Sequence, residues 1–204
     1  MTQLKIGFLF LAAGTSTRMR GSDKLLKKID GVPLIQGVLD EALKLNFPVF
    51  VTVPAHDGKR KLIISKTNAV VIEVKNADLG MGHSIATGLT HITENFNFHS
   101  LAICPSDLPG VSASSLKKLM NYFFKKPNMI CRPAKLGKSV MGHPVIFPKN
   151  YFEELKLIEG DLGARNILHR NEKNLNRFET DDDSYFIDLD TVEDFNNWTS
   201  RPIN

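Results

Sequence analysis

The stretch that decides the fold is Leu11 to Lys24, LAAGTSTRMRGSDK, directly after the apolar run Ile6 to Phe10. An apolar run closed by small residues and glycine reads as a buried strand. The residues beyond it have almost nothing to pack: hydroxyl side chains, Arg18, Arg20 and Lys24. In open α/β sheets, ligands sit just beyond the carboxyl ends of the strands, where this segment falls. Its spacing is neither the dinucleotide fingerprint GxGxxG nor the phosphate loop GxxxxGK[ST], so both of those readings fail. The backbone N–H groups of Gly14, Thr15, Ser16 and Thr17 can still turn toward an anion, with the hydroxyls as further donors. Even a helix end supplies only about half an elementary charge. A triphosphate therefore needs full cations too, and Arg18, Arg20 and Lys24 are at hand. A surface loop of solvated charges fits the same composition.

Working outward, apolar runs alternate with amphipathic segments, the pattern of βαβ units and a mainly parallel sheet. Strands are predicted at residues 5–11, 49–53, 69–74, 100–104 and 128–132. Helices are predicted at 33–45, 58–67, 83–94 and 112–124, with Ser112 as N-cap of the last. Beyond Pro133 the rhythm changes. A glycine-bearing turn leads into HPVIF, which reads as an added antiparallel strand. Helices at 151–157, 161–170 and 192–198 and short strands near Arg177 and Phe186 complete the chain.

The 204 residues, 42% hydrophobic and 24% charged, fit one domain. Two halves are expected within it, about 1–130 and about 131–204, divided where the rhythm changes. The net charge of +4 is scattered among 22 acidic residues, with no basic block for nucleic acid. No run approaches the roughly 20 apolar residues of a membrane span. Cys104 and Cys131 lie in apolar runs outside any CxxC spacing and read as free buried thiols, which suits a cytoplasmic protein.

Four constellations carry chemistry. Leu11, Ala12, Ala13 and Gly14 open the polar loop after the first strand. Asp107 comes after an apolar run in CPSDLPG; a carboxylate at the end of an interior strand needs a cation or hydrogen bonds. Magnesium suits it, and capping the turn or helix at Ser112 is the alternative. Asp188 and Asp190 in FIDLDTVEDF offer a second carboxylate. Only one is expected to look inward, Asp190 with Asp188 in reserve, while Asp190 also suits the N-cap of the following helix. In NADLGMGHS, Asn76, Gly82, His83 and Ser84 open a helix where glycine permits close approach of a ligand. Finally, Arg132, His143, Asp161 and Arg165 gather in the second half. Arg165 suits a phosphate or carboxylate of a second substrate, or pairs with Asp161 across a helical turn.

LAAG with a downstream Arg and Lys, then SDLP, GHPVIF, GDLGAR and IDLDTVEDF, in this order, resemble the molybdenum cofactor cytidylyltransferases within the MobA-like NTP transferase family. The resemblance runs from Ile6 to about Asn197. It implies a three-layer α/β/α, Rossmann-like (GT-A-like) nucleotidyltransferase with a mainly parallel sheet and an antiparallel acceptor-side addition. It further implies transfer of CMP from CTP to a molybdopterin-type cofactor, with release of pyrophosphate, and it allows a molybdoenzyme apo-protein or chaperone as partner. On matching positions, Ala12 to Gly14 would border the base, Arg18 and Lys24 would hold the triphosphate, and Asp107 with Asp190 would bind Mg2+. Gly82, His83 and Ser84 would lie against base or ribose, and His143 with the GDLGAR segment would face the acceptor. Guanine-using relatives carry LAGG; the methyl of Ala13 would narrow the base slot and favour cytosine. Ser106 stands where many relatives have glycine. A related transferase with another phosphorylated acceptor and a non-catalytic cofactor carrier are the competing readings.

Overall fold

The computed structural model describes residues 5–14 and 22–199. In chain order it begins with β1 (Ile6–Leu11), a tiny hairpin of β2 (Lys28–Ile29) and β3 (Val32–Pro33), and α1 (Leu34–Leu43). Then come β4 (Val49–Pro54), α2 (Gly58–Ile64), β5 (Val70–Val74), α3 (Met81–Asn95), β6 (Ser100–Pro105) and α4 (Ala113–Phe123). The second half adds β7 (Cys131–Lys135), β8 (Val145–Pro148), α5 (Phe152–Leu155), α6 (Arg165–Arg170), β9 (Asn176–Thr180) and α7 (Val192–Thr199).

One seven-stranded sheet runs in the order β5-β4-β1-β6-β8-β7-β9. β1 pairs parallel with both β4 and β6, and β8 is antiparallel to β6, as HPVIF predicts. Strand residues alternate between two cores. Phe8, Phe10, Val51 and Ala102 pack with α1, α2, α4 and α7, whereas Leu9, Phe50, Leu101 and Phe147 pack with α3, α5 and α6. Two apolar faces each covered by helices make the three-layer α/β/α arrangement, and explain why the strands read as unbroken apolar runs. From β1 the chain winds outward through β4 to β5, then returns to the other side as β6. The carboxyl ends of β1 and β6 thus flank a topological switch point, where open sheets of this kind bind ligands.

Several boundaries differ from expectation. The predicted strand 128–132 lies three residues later, because Met129 closes a turn by donating to the Lys126 carbonyl. It runs through Pro133, tolerated because β7 pairs with β8 only at Cys131. The predicted helix 161–170 starts only at Arg165, since Gly160 and Gly163 take left-handed φ values of 67° and 53°. No strand forms at Phe186. Asp182 instead caps a 3₁₀ turn, Asp183–Tyr185, and the buried Tyr185 hydroxyl donates to the Ser115 carbonyl at 2.5 Å. The β2–β3 hairpin, absent from the sequence expectation, turns at Asp30 and Gly31, both with positive φ. Among the described residues no helix is long and apolar enough to cross a membrane. Cys104 and Cys131 are free and buried, as expected.

Candidate active site

The site is built at the carboxyl edge of the sheet. Leu11 ends β1, paired with Thr52 on one side and Pro105 on the other, and its neighbours Ala12 and Ala13 are each 1% exposed. Gly14 is exposed with open space where a Cβ would stand. Thr15, Ser16 and Arg18, with Thr17 and Arg20, lie outside the described residues. The chain re-enters at Asp23, which caps a 3₁₀ turn, Lys24–Leu26, by accepting from the Leu25 N–H. Leu25 is buried and fastens this turn to the core, which aims Lys24 at the end of β6.

There the Lys24 ammonium donates to Asp107 Oδ2 at 2.5 Å and to Asp190 Oδ1 at 2.7 Å. Burial works to lower its pKa, but the charges and hydrogen bonds of Asp107 and Asp190 together outweigh it, and the net shift is upward. The residue expected to face a triphosphate therefore neutralises two carboxylates in the protein alone. Asp107, Asp188 and Asp190 each bring an oxygen within 4.8 Å of the others. The expectation that only one of Asp188 and Asp190 faces inward is thus corrected: residues two apart on an extended segment share a side. Leu189 between them is buried, and its N–H donates to the Asp107 carbonyl at 3.0 Å, tying the segment to the end of β6. Burial, then repulsion from Asp107, raises the Asp188 pKa.

Both capping alternatives give way. Ser112 caps α4 by accepting from the Ser115 N–H, leaving Asp107 out of that role. At α7, Thr191 Oγ1 accepts from the Asp194 N–H while Asp194 accepts from Thr191 and Asp190 N–H groups, a reciprocal capping box in which Thr191, not Asp190, supplies the capping oxygen. Among the described residues, the buried Asp107 Oδ1 atom finds no hydrogen-bond partner, nor does the Ser106 hydroxyl beside it. An unpartnered buried carboxylate oxygen amid three carboxylates fits a hard divalent cation.

The Asn76–Ser84 segment is engaged mainly with protein. Asn76, exposed at the end of β5, has φ 54°. Gly82 donates its N–H to the Gly160 carbonyl at 2.7 Å, and a Cβ on it would come within 2.7 Å of the Glu159 carbonyl carbon. Its glycine thus admits the 159–161 loop. His83 Nε2 lies 2.8 Å from the Lys75 carbonyl oxygen, and the buried Ser84 hydroxyl donates to the Gly80 carbonyl at 3.4 Å.

On the second-half side, Arg132 donates to the Gly142 carbonyl through Nε and Nη2, and burial lowers its pKa to about 10. The His143 imidazole is pushed down to about 4, first by burial and then by the charges of Arg132 and Arg165, and among the described residues its Nδ1 has no partner. These three groups therefore share one neighbourhood. Asp161 packs its Oδ1 against Gly80 instead, and among the described residues no ion pair joins it to Arg165.

One residue escapes the sequence expectation. Arg60 of α2 is 4% exposed, and its guanidinium holds the Ala12 and Gly14 carbonyls and the Asp23 carboxylate. Within HDGKRK it reads as one more charge on a solvated helix. Its only signal is that this helix opens right after β4, on the same edge of the sheet.

Residues 8–175 match the profile of the MobA-like NTP transferase domain. The bifunctional protein GlmU of Neisseria meningitidis serogroup C (strain 053442) is 31% identical over 121 residues, 59% of this chain and 26% of that protein. The chain thus spans about a quarter of that relative's length. Among solved structures, Rv0371c of Mycobacterium tuberculosis H37Rv has a TM-score of 0.81 at 21% identity, covering 98% of this chain and 100% of that one. Its complex with manganese gives 0.77 at 19% identity, over 97% and 100% of the two chains. A cytidylyltransferase from Leptospira borgpetersenii serovar Hardjo-bovis (strain JB197) gives 0.73 at 20% identity, over 97% and 86%. At these identities the structural likeness is one of fold.

Proposed function

Because the chain belongs to the MobA-like NTP transferase family, we propose that it transfers CMP from CTP to the phosphate of a molybdopterin-type cofactor and releases pyrophosphate. The observation that carries the reading is the cluster of Asp107, Asp188 and Asp190 with Lys24 at the switch point between β1 and β6.

An acceptor phosphate oxygen attacks the α-phosphorus; the new O–P bond forms as the bond to the bridging oxygen breaks, and its electron pair leaves with pyrophosphate. The nucleophile is already ionised at neutral pH, so the protein's task is positioning and charge neutralisation, with no strong general base required. Arg18 and Lys24 supply positive charge to the triphosphate, and the Ala12 to Gly14 backbone borders the base. Asp107, Asp190 and Asp188 would hold Mg2+, which supplies Lewis-acid stabilisation of the transferring and leaving phosphates. An all-oxygen donor set suits magnesium and manganese alike, and manganese is the ion in the Rv0371c complex.

Ala13 supports cytosine over guanine, and a cytidylyltransferase among the fold relatives agrees with it. Arg132, Arg165 and a neutral His143 offer a cationic, hydrogen-bonding acceptor side. Asn76, Gly82, His83, Ser84 and Asp161 would frame the nucleotide and acceptor through the packed contact between the 76–84 and 159–161 segments. The test is a pyrophosphate-release screen of CTP, GTP, ATP and UTP with Mg2+ or Mn2+, against molybdenum cofactor and a panel of sugar phosphates. Release that depends on CTP, cofactor and metal and is lost in Asp107→Asn is expected; turnover only with a sugar phosphate, or acceptor binding without release, would refute it.

A further inference from the structure

Arg60 is a cation that the transfer chemistry does not use, and its surroundings say what it does. Asp57 caps α2 by accepting the Arg60 N–H at 3.0 Å, and its other oxygen lies 3.1 Å from Arg60 Nε, so the side chain leaves the helix in a fixed direction. Nη1 donates to the Ala12 carbonyl at 2.5 Å and the Gly14 carbonyl at 2.9 Å. Nε donates to Asp23 Oδ2 at 2.8 Å, and the second oxygen of Asp23 caps the turn that carries Lys24. One guanidinium therefore grips the chain on both sides of residues 15–21. A lysine has the charge but not the rigid fork that serves several acceptors at once.

We propose that Arg60 is the positioning residue of the nucleotide loop: it fixes the separation of Gly14 from Asp23 and, through Asp23, the reach of Lys24. This rests on the reading that residues 11–24 hold a nucleoside triphosphate. Arg60 itself is spent on carbonyls and carboxylates and acts only through the loop.

The experiment compares wild type with Arg60→Lys, Arg60→Gln, Asp23→Asn and the double variant Arg60→Lys with Asp23→Asn. Three quantities are measured: KM and kcat for Mg·CTP, Mn2+ affinity by electron paramagnetic resonance without nucleotide, and the rate of tryptic cleavage after Arg18 and Arg20. A misplacement of about 1 Å costs on the order of 100-fold. Arg60→Lys should raise KM for CTP by at least about tenfold and speed cleavage at those two sites comparably, while Mn2+ binding is retained because the carboxylates stand on other elements. Asp23→Asn should act in the same direction, and the double variant should be less than additive, as coupled neighbours are. Should Arg60→Gln fail to fold, Arg60→Lys decides. A merely structural arginine would lower the folded fraction and hence kcat, with KM unchanged; that result, or unaltered KM and cleavage, overturns the proposal. If wild type turns over no nucleotide, the transferase reading fails by itself. Proteolysis then decides alone: faster cleavage confined to Arg18 and Arg20 supports the role, and equal cleavage ends it.

Discussion

Lys24 shows how much one side chain can depend on context. Its ammonium satisfies two carboxylates that would otherwise face each other and Asp188. Lys24→Met should reduce transfer by on the order of 100-fold, as loss of a charge on the transferring phosphate does. It should also lower the metal-free melting temperature, and Mg2+ should raise that temperature more in the variant than in wild type, read by differential scanning fluorimetry. At Ala13, Ala13→Gly should move the kcat/KM ratio of CTP to GTP toward GTP by roughly tenfold, the scale of one methyl group in a pocket. His143 gives a pH prediction. Folded, it takes a proton only near pH 4; unfolded, it does so near 6.5, so the stability it contributes is complete above about 6.5 and lost as pH falls toward about 4. The shift corresponds to on the order of 3 kcal/mol. Urea unfolding from pH 4 to 7 should show a flatter pH dependence in His143→Gln. Asp107 and one carboxylate of the 188–190 segment are legible from residue type and position; that Asp188 and Asp190 both gather beside Asp107 is not. Arg60 is not, because nothing in a charged helix start marks which cation turns inward.

At the scale of elements, the strands are legible wherever both faces are buried, since burial on two sides leaves an uninterrupted apolar run. Legibility fails where a single residue overrides periodicity. Gly160 and Gly163 stop a helix that the surrounding pattern would carry through, and Tyr185 pulls an extended-looking segment into a buried turn. The start of α3 depends on a close approach to the 159–161 loop. Gly82→Ala should cost about 2 kcal/mol, because its methyl meets backbone atoms that cannot rotate away, as chemical denaturation would register. At α7, Asp194→Ala should cost about 1 kcal/mol as a lost cap. It should also weaken Mn2+ binding, since Asp194 holds the Asp190 N–H, and a titration should show both effects together.

For the molecule as a whole, both halves contribute strands to one sheet, so binding at its carboxyl edge is coupled to the stability of the entire fold. A nucleotide and metal bound at a hundredfold excess over Kd should add about 2.7 kcal/mol to unfolding. The melting temperature should rise with CTP and Mg2+ together and return to the unliganded value with a chelator. The order of the motifs makes the architecture legible, but the closure of the site is not, because it links residues remote in sequence. Lys24 meets Asp107 across 83 residues and Asp190 across 166. Closing loops of that length costs chain entropy before the contacts repay it. A nascent chain that has not yet reached Asp190 owns the loop and the first carboxylate without the set that works with them. Transfer would then report that the chain has passed Asp190 and that the two carboxylate-bearing segments have folded against the loop.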